Sequence, residues 1–231
     1  MRPAIAFLSL MAVVACRTEG APPSSVSLPP GTAVTGKANS LPIATTMAPQ
    51  PIASVKDYFP DESHGGFIPF VREWYGKHLH TMGEPSLFEA STATPTKETW
   101  RFVWLRTWGH PVAIRFDVAP SGTTMRYVVL DGQGGYAPGK ISADVTRTIS
   151  APDWMRVTSA LTGAGFWALP TSKDDGGMDG LEWIIEGTQN GRYHVVDRWT
   201  PSYETSRRGL ADYESACRTA FDVAGVPDKF E

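Results

Sequence analysis

The chain has 231 residues, of which 42% are apolar and 19% are charged, and its formal net charge is -3. This composition is typical of a globular protein and excludes a collagen-like, disordered or multispanning chain. No run of Lys and Arg offsets the negative balance, so we expect no nucleic acid as a partner. The 8 Trp, 10 Phe and 7 Tyr residues can fill a core that needs no disulfide.

The first sixteen residues have the pattern of an export signal. Arg2 gives a positive start, residues 4–14 carry no charge, and the segment ends in Val13-Val14-Ala15-Cys16. The apolar run is too short to span a bilayer as a helix. The last four residues resemble the lipobox of bacterial lipoproteins. This resemblance implies a signal peptide over residues 1–15 and a lipid on Cys16 that anchors the chain to the membrane, facing the periplasm.

Two alternatives to lipidation remain open at the N-terminus. Val13 and Ala15 are small enough for ordinary signal peptidase to cut after Ala15, and the segment could also stay unprocessed and buried. Arg17 follows the cysteine, whereas an Asp at that position in enteric lipoproteins resembles an inner-membrane retention signal. The outer membrane is therefore the expected location.

Residues 16–55 are predicted to form a disordered tether. Up to residue 52 they are rich in Pro, Ser, Thr, Gly and Ala, carry almost no charge and contain no aromatic residue. Such a composition cannot drive collapse. A flexible tether would let a folded body work away from the membrane surface. A dispensable spacer fits the same composition.

Residues 56–231 are predicted to form one globular domain that opens with a helix. Apolar side chains recur at helical spacing over 67–81, and Phe70 and Trp74 belong to this stripe. Four segments with strand character follow at 99–107, 112–118, 124–130 and 140–149. Their short connections, rich in Gly and Pro, predict antiparallel neighbours.

The second half of the domain begins with a helix capped by Ser150, with Asp153 placed to answer the cap. Two strands at 181–187 and 192–200 are joined by Asn190-Gly191, a strong hairpin signal. A last helix over 204–224 carries Cys217 on its apolar stripe. Because lipidation of Cys16 leaves Cys217 without a partner, we expect a buried free thiol there. The order α-β-β-β-β-α-β-β-α predicts a single α+β domain, an antiparallel β-sheet with helices packed on it.

The hairpin over 181–200 mixes charges with large apolar side chains on both of its faces. In the register set by Asn190-Gly191, the alternation of side chains places seven residues on one face of the hairpin: Glu182, Ile184, Glu186, Tyr193, Val195, Asp197 and Trp199. His194 and Arg198 fall on the opposite face. The candidate ligand- or partner-binding residues of the hairpin are Glu182, Glu186, Tyr193, His194, Asp197 and Arg198.

Three interpretations of these charges stay open. In the structural one, a carboxylate holds a buried arginine and His194 bonds to the backbone. In the second, rigid strands present a binding site. In the third, Glu182, Glu186 and Asp197 act in catalysis with His194. The loop at 131–139 is similarly open, because Tyr136 either caps the core or presents its ring to a partner.

Residues 84–201 also resemble a family of proteobacterial proteins, many with export signals, for which no activity is known. The resemblance implies no catalytic residue. It rests on Glu84-Pro85-Ser86-Leu87, the strand at 100–108, residues 134–139, Phe166-Trp167, Asp179-Gly180, Trp183, Glu186, Tyr193, His194, Arg198, Trp199 and Pro201.

The sequence contains no Gly-rich phosphate loop, no Cys or His pair with zinc spacing and no Gly-x-Ser-x-Gly. We therefore predict no cofactor, no metal and no catalytic residue. The favoured function is a non-enzymatic binding or structural module of the cell envelope, with an envelope protein or another envelope component as partner. The alternative is a carboxylate-dependent hydrolase that uses the 181–200 hairpin.

Overall fold

The computed structural model describes residues 54–173, 177 and 179–226. The predicted signal peptide, Cys16 and nearly all of the predicted tether lie outside these residues, so those predictions stay predictions. Among the helices that the structure describes, none is long and apolar enough to cross a membrane.

The described chain is an α+β domain built on one antiparallel sheet, which confirms the predicted fold class. The strands are β1 (Glu98–Arg106), β2 (Val112–Ala119), β3 (Gly122–Leu130), β4 (Ile141–Ile149), β5 (Leu181–Gln189) and β6 (Arg192–Trp199). The helices are α1 (Pro69–Thr81), α2 (Leu87–Ala93), α3 (Ala151–Gly163), α4 (Thr205–Arg208) and α5 (Ala211–Ala224). In the sheet the strand order is β4-β3-β2-β1-β5-β6.

Apolar side chains cover both faces of this sheet. On one face, Trp104 of β1 packs edge-on against Phe221 of α5, with ring centroids 5.4 Å apart. On the other face, α1 contributes Tyr75 and Leu79 to a second cluster with Val103 of β1. Alternate residues of β1 thus enter opposite cores, as expected for a strand buried on both sides.

The final hairpin has the predicted register. Asn190 and Gly191 both adopt positive φ, at 52° and 73°, as a two-residue type I′ turn requires. Ile184 pairs with Asp197 and Glu186 with Val195, which confirms the predicted division of side chains between the two faces.

Two helical details differ from the sequence-based prediction. The short helix α2 was not predicted, although Ser86 caps it by accepting a hydrogen bond from the Glu89 N–H at 3.1 Å. The single helix predicted over 204–224 is divided, because Gly209 at φ 66° ends α4 before α5 begins.

Several finer predictions are confirmed. Ser150 caps α3 by accepting from the Asp153 N–H at 3.2 Å. Cys217 is a buried free thiol on α5, and burial raises its pKa well above the ordinary value. A thiol that holds its proton so firmly is a packing group rather than a nucleophile.

Candidate functional site

A cleft of about 590 Å³ opens between α1 and the β5–β6 hairpin. We call it the aromatic cleft and define it by Phe70, Trp74, Tyr136, Glu182 and Trp199. The other non-glycine residues of its lining are Glu73, Lys77, Leu105, Thr107, Asp179 and Leu181. Its volume lies within the range of about 300–1,000 Å³ found for small-molecule sites. Phe70 was predicted to lie on the buried stripe of α1, yet its side chain is 71% exposed.

Helix α1 and the loop at 131–139 hold one wall of the cleft. The indole Nε1 of Trp74 donates to the Gly134 carbonyl at 2.7 Å and thereby fixes the ring against the loop. Gly134 in turn lies against β1, because a Cβ at this position would come within 2.6 Å of the Arg106 backbone N. A glycine is needed there for this close approach.

Trp199 forms the opposite wall and is fixed from several sides. A Cβ on Gly180 would lie 2.4 Å from the Trp199 Nε1, so only a glycine leaves room for the ring. The Arg208 guanidinium lies 5.7 Å from the ring centroid and also donates to the Trp199 carbonyl at 2.7 Å. The next residue, Thr200, has φ 36°, which is costly for a β-branched side chain. Strained backbone of this kind gathers at functional sites.

Tyr136 lies at the mouth of the cleft and is 49% exposed. Its ring packs against Trp108, itself 62% exposed, with centroids 5.1 Å apart. Tyr136 therefore does not cap the core, which was one of the two sequence-based interpretations. Together the two rings form an exposed aromatic platform that continues from the cleft.

Among the described residues, three carboxyl side chains line the cleft: Glu73, Asp179 and Glu182. Glu73 and Asp179 are exposed, whereas Glu182 is half-buried. Within the described part of the chain, Glu182 forms no hydrogen bond or ion pair within contact distance. Burial and the nearby Asp197 raise the pKa of Glu182 to about 8, although Arg208 acts in the opposite direction. The side chain is thus largely protonated at neutral pH, so it can both donate and accept a hydrogen bond.

Asp197 lies beside Glu182 on the same face of the sheet but is held by the protein. The Tyr75 hydroxyl donates to Asp197 Oδ2 at 3.0 Å, and burial raises the pKa of this carboxyl above its usual range. Asp197 therefore supports the floor beneath Glu182 and is not itself a wall of the cleft.

Glu186 and Tyr193 lie outside the aromatic cleft in a closed hydrogen-bonded group. Arg101 Nε donates to Glu186 Oε2 at 2.7 Å, and the Tyr193 hydroxyl donates to Glu186 Oε1 at 2.8 Å. Glu186 and Arg101 are both fully buried. Although burial opposes the charged form, Glu186 and Glu84 raise the pKa of Arg101 above its ordinary value.

Arg101 continues into a row of three arginines across the sheet, which we call the arginine row. Cross-strand pairing places Arg101 opposite Arg115, and Arg115 opposite Arg126. Glu84, from the segment between α1 and α2, approaches all three, with Nη1–Oε distances of 3.4 Å, 2.8 Å and 2.5 Å respectively. The sequence-based reasoning did not identify this network. The feature that could have predicted it is Arg101, an arginine within the apolar sequence of β1, because a buried charge of this kind needs a buried partner.

His194 and Arg198 lie on the opposite face of the sheet from the cleft. His194 Nε2 is 2.8 Å from the Leu169 carbonyl, and its ring packs against Phe166 with centroids 5.1 Å apart. Arg198 donates to the Pro170 carbonyl at 3.0 Å and to the Asp197 carbonyl at 2.5 Å. The sheet separates both side chains from Glu182.

The six candidate residues thus divide into distinct environments. Glu182 faces the aromatic cleft, Asp197 supports it, Glu186 and Tyr193 belong to the arginine network, and His194 and Arg198 bind backbone carbonyls. Within the part of the chain that the structure describes, no three His, Cys, Asp or Glu side chains are arranged to hold a metal ion.

No protein-family model matches the chain, and no curated protein matches it in sequence. The resemblance over residues 84–201 therefore stays a prediction.

Proposed function

We propose that the protein is a cell-envelope lipoprotein whose folded domain is a non-enzymatic binding module, with the aromatic cleft as its binding site. The observation that carries this proposal is Glu182, a half-buried carboxyl that has no hydrogen-bond partner among the described residues and lies inside a cleft lined by aromatic rings. A small number of polar groups among aromatic and apolar side chains is the usual composition of a ligand pocket.

The cost of keeping Glu182 in place supports a functional role. The side chain is half-buried and forms no ion pair among the described residues, and its raised pKa means that it destabilises the folded state at neutral pH. Evolution tolerates local costs of this kind where a site needs them. A purely structural role would be served better by an apolar side chain.

The proposed anchor and tether set where the module works. If a lipid holds Cys16 and residues 16–53 are flexible, the domain can lie about 35 Å from the membrane on average. That distance would let the cleft reach an envelope protein or another envelope component without contact between the domain and the bilayer.

Capture from envelope extract tests the binding site. The full-length protein should retain an envelope component that the Trp199→Ala variant loses. Trp167→Ala is the matched control, because Trp167 is also a partly buried indole beneath an arginine, with Arg192 4.5 Å from its centroid, but faces another pocket. Equal capture by wild type and Trp199→Ala would refute the cleft as the site.

Labelling with a clickable fatty acid tests the anchor separately. Cys16→Ser should abolish labelling and leave the precursor uncleaved, because lipoprotein processing requires the modified thiol. Equal labelling of wild type and variant would refute lipidation at Cys16.

One observation favours a hydrolase as a second candidate function. Glu182 carries its proton at neutral pH beside a second carboxyl, Asp197, and such a pair can divide the roles of acid and base. The hydrolase would use Glu182 as the acid and the adjacent Asp197 as the base. It would use neither Glu186, which is held by Arg101, nor His194, which lies on the opposite face of the sheet. It requires that wild type, but not Glu182→Gln, release a cleaved product from envelope material.

A further inference from the structure

We infer that the ligand of the aromatic cleft is a neutral glycan, whose sugar rings stack on Trp74, Trp199 and Tyr136 while a hydroxyl group bonds to Glu182. This inference rests on the proposed function and deepens it by naming the ligand class. Three features support it: the shape of the aromatic surface, the charges around the cleft and the backbone hydrogen bond at the edge of β6.

The aromatic surface suits flat rings with apolar faces. A pyranose ring exposes a face of C–H groups, which packs on an indole or phenol ring, and its rim carries hydroxyls that need hydrogen bonds. The cleft offers aromatic rings on both walls, and the Tyr136–Trp108 pair continues the platform outward. A ligand made of repeated rings can occupy the cleft and this platform together.

The charges around Glu182 disfavour a cationic ligand. Besides Glu182, which holds its proton, the charged side chains of the lining are the acidic Glu73 and Asp179 and the basic Lys77. Arg208 on α4 adds a second positive charge near Glu182, so the two acidic groups are matched by two basic ones. A quaternary ammonium could use the aromatic rings, but the balanced charges of the cleft add no net negative charge to that attraction. A protonated carboxyl instead matches a sugar hydroxyl, since each group can donate one hydrogen bond and accept another.

An extended peptide is also disfavoured, because the middle of the neighbouring sheet edge is blocked by the segment at Thr171. β6 is an edge strand, but its Asp197 N–H donates to the Thr171 carbonyl at 2.8 Å. A peptide would need such a free edge to add as a strand. A glycan that binds mainly by stacking its ring faces on aromatic side chains does not need a free strand edge.

The inference predicts pH-dependent binding. Ionisation of Glu182 above pH 8 removes its donor hydrogen, so affinity for a neutral glycan should fall as the pH rises from 7 to 9. The other titratable or charged groups around Glu182 are Glu73, Tyr75, Lys77, Asp179, Asp197 and Arg208. Glu182→Gln should flatten this profile, because an amide does not ionise.

Calorimetric titration of the full-length protein tests the inference with three uncharged probes: the tetramers of β-1,4-linked N-acetylglucosamine, β-1,4-linked glucose and α-1,4-linked glucose. At least one should bind at pH 7. Trp199→Ala should weaken that binding tenfold or more, whereas Trp167→Ala should bind as wild type does. Tetramethylammonium is titrated in the same way as a cationic probe, and it should not bind in place of the tetramers.

The possible failures are distinguishable. If none of the three tetramers binds, or tetramethylammonium binds in their place, the glycan inference is overturned. If capture from envelope extract still depends on Trp199 in that case, the proposed function survives with another ligand. If a tetramer binds wild type and Trp199→Ala equally, both the inference and the cleft as binding site are refuted.

Discussion

Glu182 and Glu186 stand four residues apart on the same face of β5, yet their surroundings differ in kind. Glu186 is fully buried and receives hydrogen bonds from Arg101 and Tyr193. Glu182 lines the aromatic cleft and meets no comparable partner among the described residues. One strand therefore carries a charge held by the protein at its centre and, toward its beginning, a half-buried carboxyl that is open to a ligand.

The comparison separates two roles that composition alone does not distinguish. A fully buried carboxylate whose two oxygens both accept hydrogen bonds from the protein holds the fold together and is closed to a ligand. A half-buried carboxyl that keeps its proton and faces a cavity remains open to one. On this basis the arginine row is a scaffold, and the aromatic cleft is the site.

The largest expected effect follows from breaking the scaffold at Arg101. Arg101→Met leaves Glu186 and Glu84 buried without this guanidinium, so the free energy of unfolding should fall by about 3 to 5 kcal/mol. Urea denaturation of wild type and variant measures the difference.

A surface arginine supplies the control for Arg101→Met. Arg156 pairs with Asp222 at 2.5 Å, but both side chains are largely exposed. Arg156→Met should therefore leave the free energy of unfolding almost unchanged, because exposed ion pairs contribute little to stability. Similar losses for the two variants would show that the arginine row is not a special scaffold.

A smaller effect concerns acid stability, through His78 on α1. Burial, and then the charge on Lys77, lower the pKa of His78 from 6.5 to about 4. Between these two pH values the unfolded chain binds the proton and the folded chain does not, so stability falls as the pH decreases through this window. His78→Leu removes this loss, and its free energy of unfolding relative to wild type should rise by about 3 kcal/mol between pH 7 and pH 4.

Urea denaturation of wild type and His78→Leu across this pH range checks the prediction. His80→Leu, at an exposed position of the same helix, controls for the loss of a histidine. A constant difference between wild type and His78→Leu would show that buried His78 does not contribute to acid sensitivity.

The smallest expected effect is that of removing the tether. A chain beginning at Ser54 keeps the two contacts that attach this segment to α1. The Val55 carbonyl packs closely against Gly76, and the Lys56 carbonyl accepts a hydrogen bond from Arg72. Residues 17–52 offer little apolar surface, so their removal should change the melting temperature by no more than a few degrees. A larger drop would mean that the segment packs on the domain.

The sequence allowed the strands, the hairpin register and the cap at Ser150 to be predicted because these features depend on local patterns. Asn190-Gly191 fixes one turn, and the two-residue alternation then assigns every side chain of β5 and β6 to a face. The Ser86-x-x-Glu89 pattern is equally local and would have revealed α2.

The site was less accessible to such reasoning, because it depends on which distant segments meet. Glu182 was a candidate, but nothing local distinguishes it from Glu186 four residues away. The difference comes from Arg101 on β1, 85 residues from Glu186, and from Trp74 on α1. Likewise, Phe70 fits the apolar stripe of α1, and only the finished packing leaves it exposed at the cleft.

Paired denaturation of Glu182→Gln and Glu186→Gln at pH 8 tests the separation of site and scaffold most directly. Glu182 has its pKa raised from 4.5 to about 8, so its ionisation opposes folding increasingly as the pH rises through that window. Glu182→Gln should therefore be more stable than wild type by about 1 to 3 kcal/mol at pH 8, an advantage that disappears near pH 4. Glu186→Gln should lose about 3 kcal/mol, because it leaves Arg101 without its principal counter-charge. Equal destabilisation of the two variants would contradict the account, since both carboxyls would then belong to the scaffold.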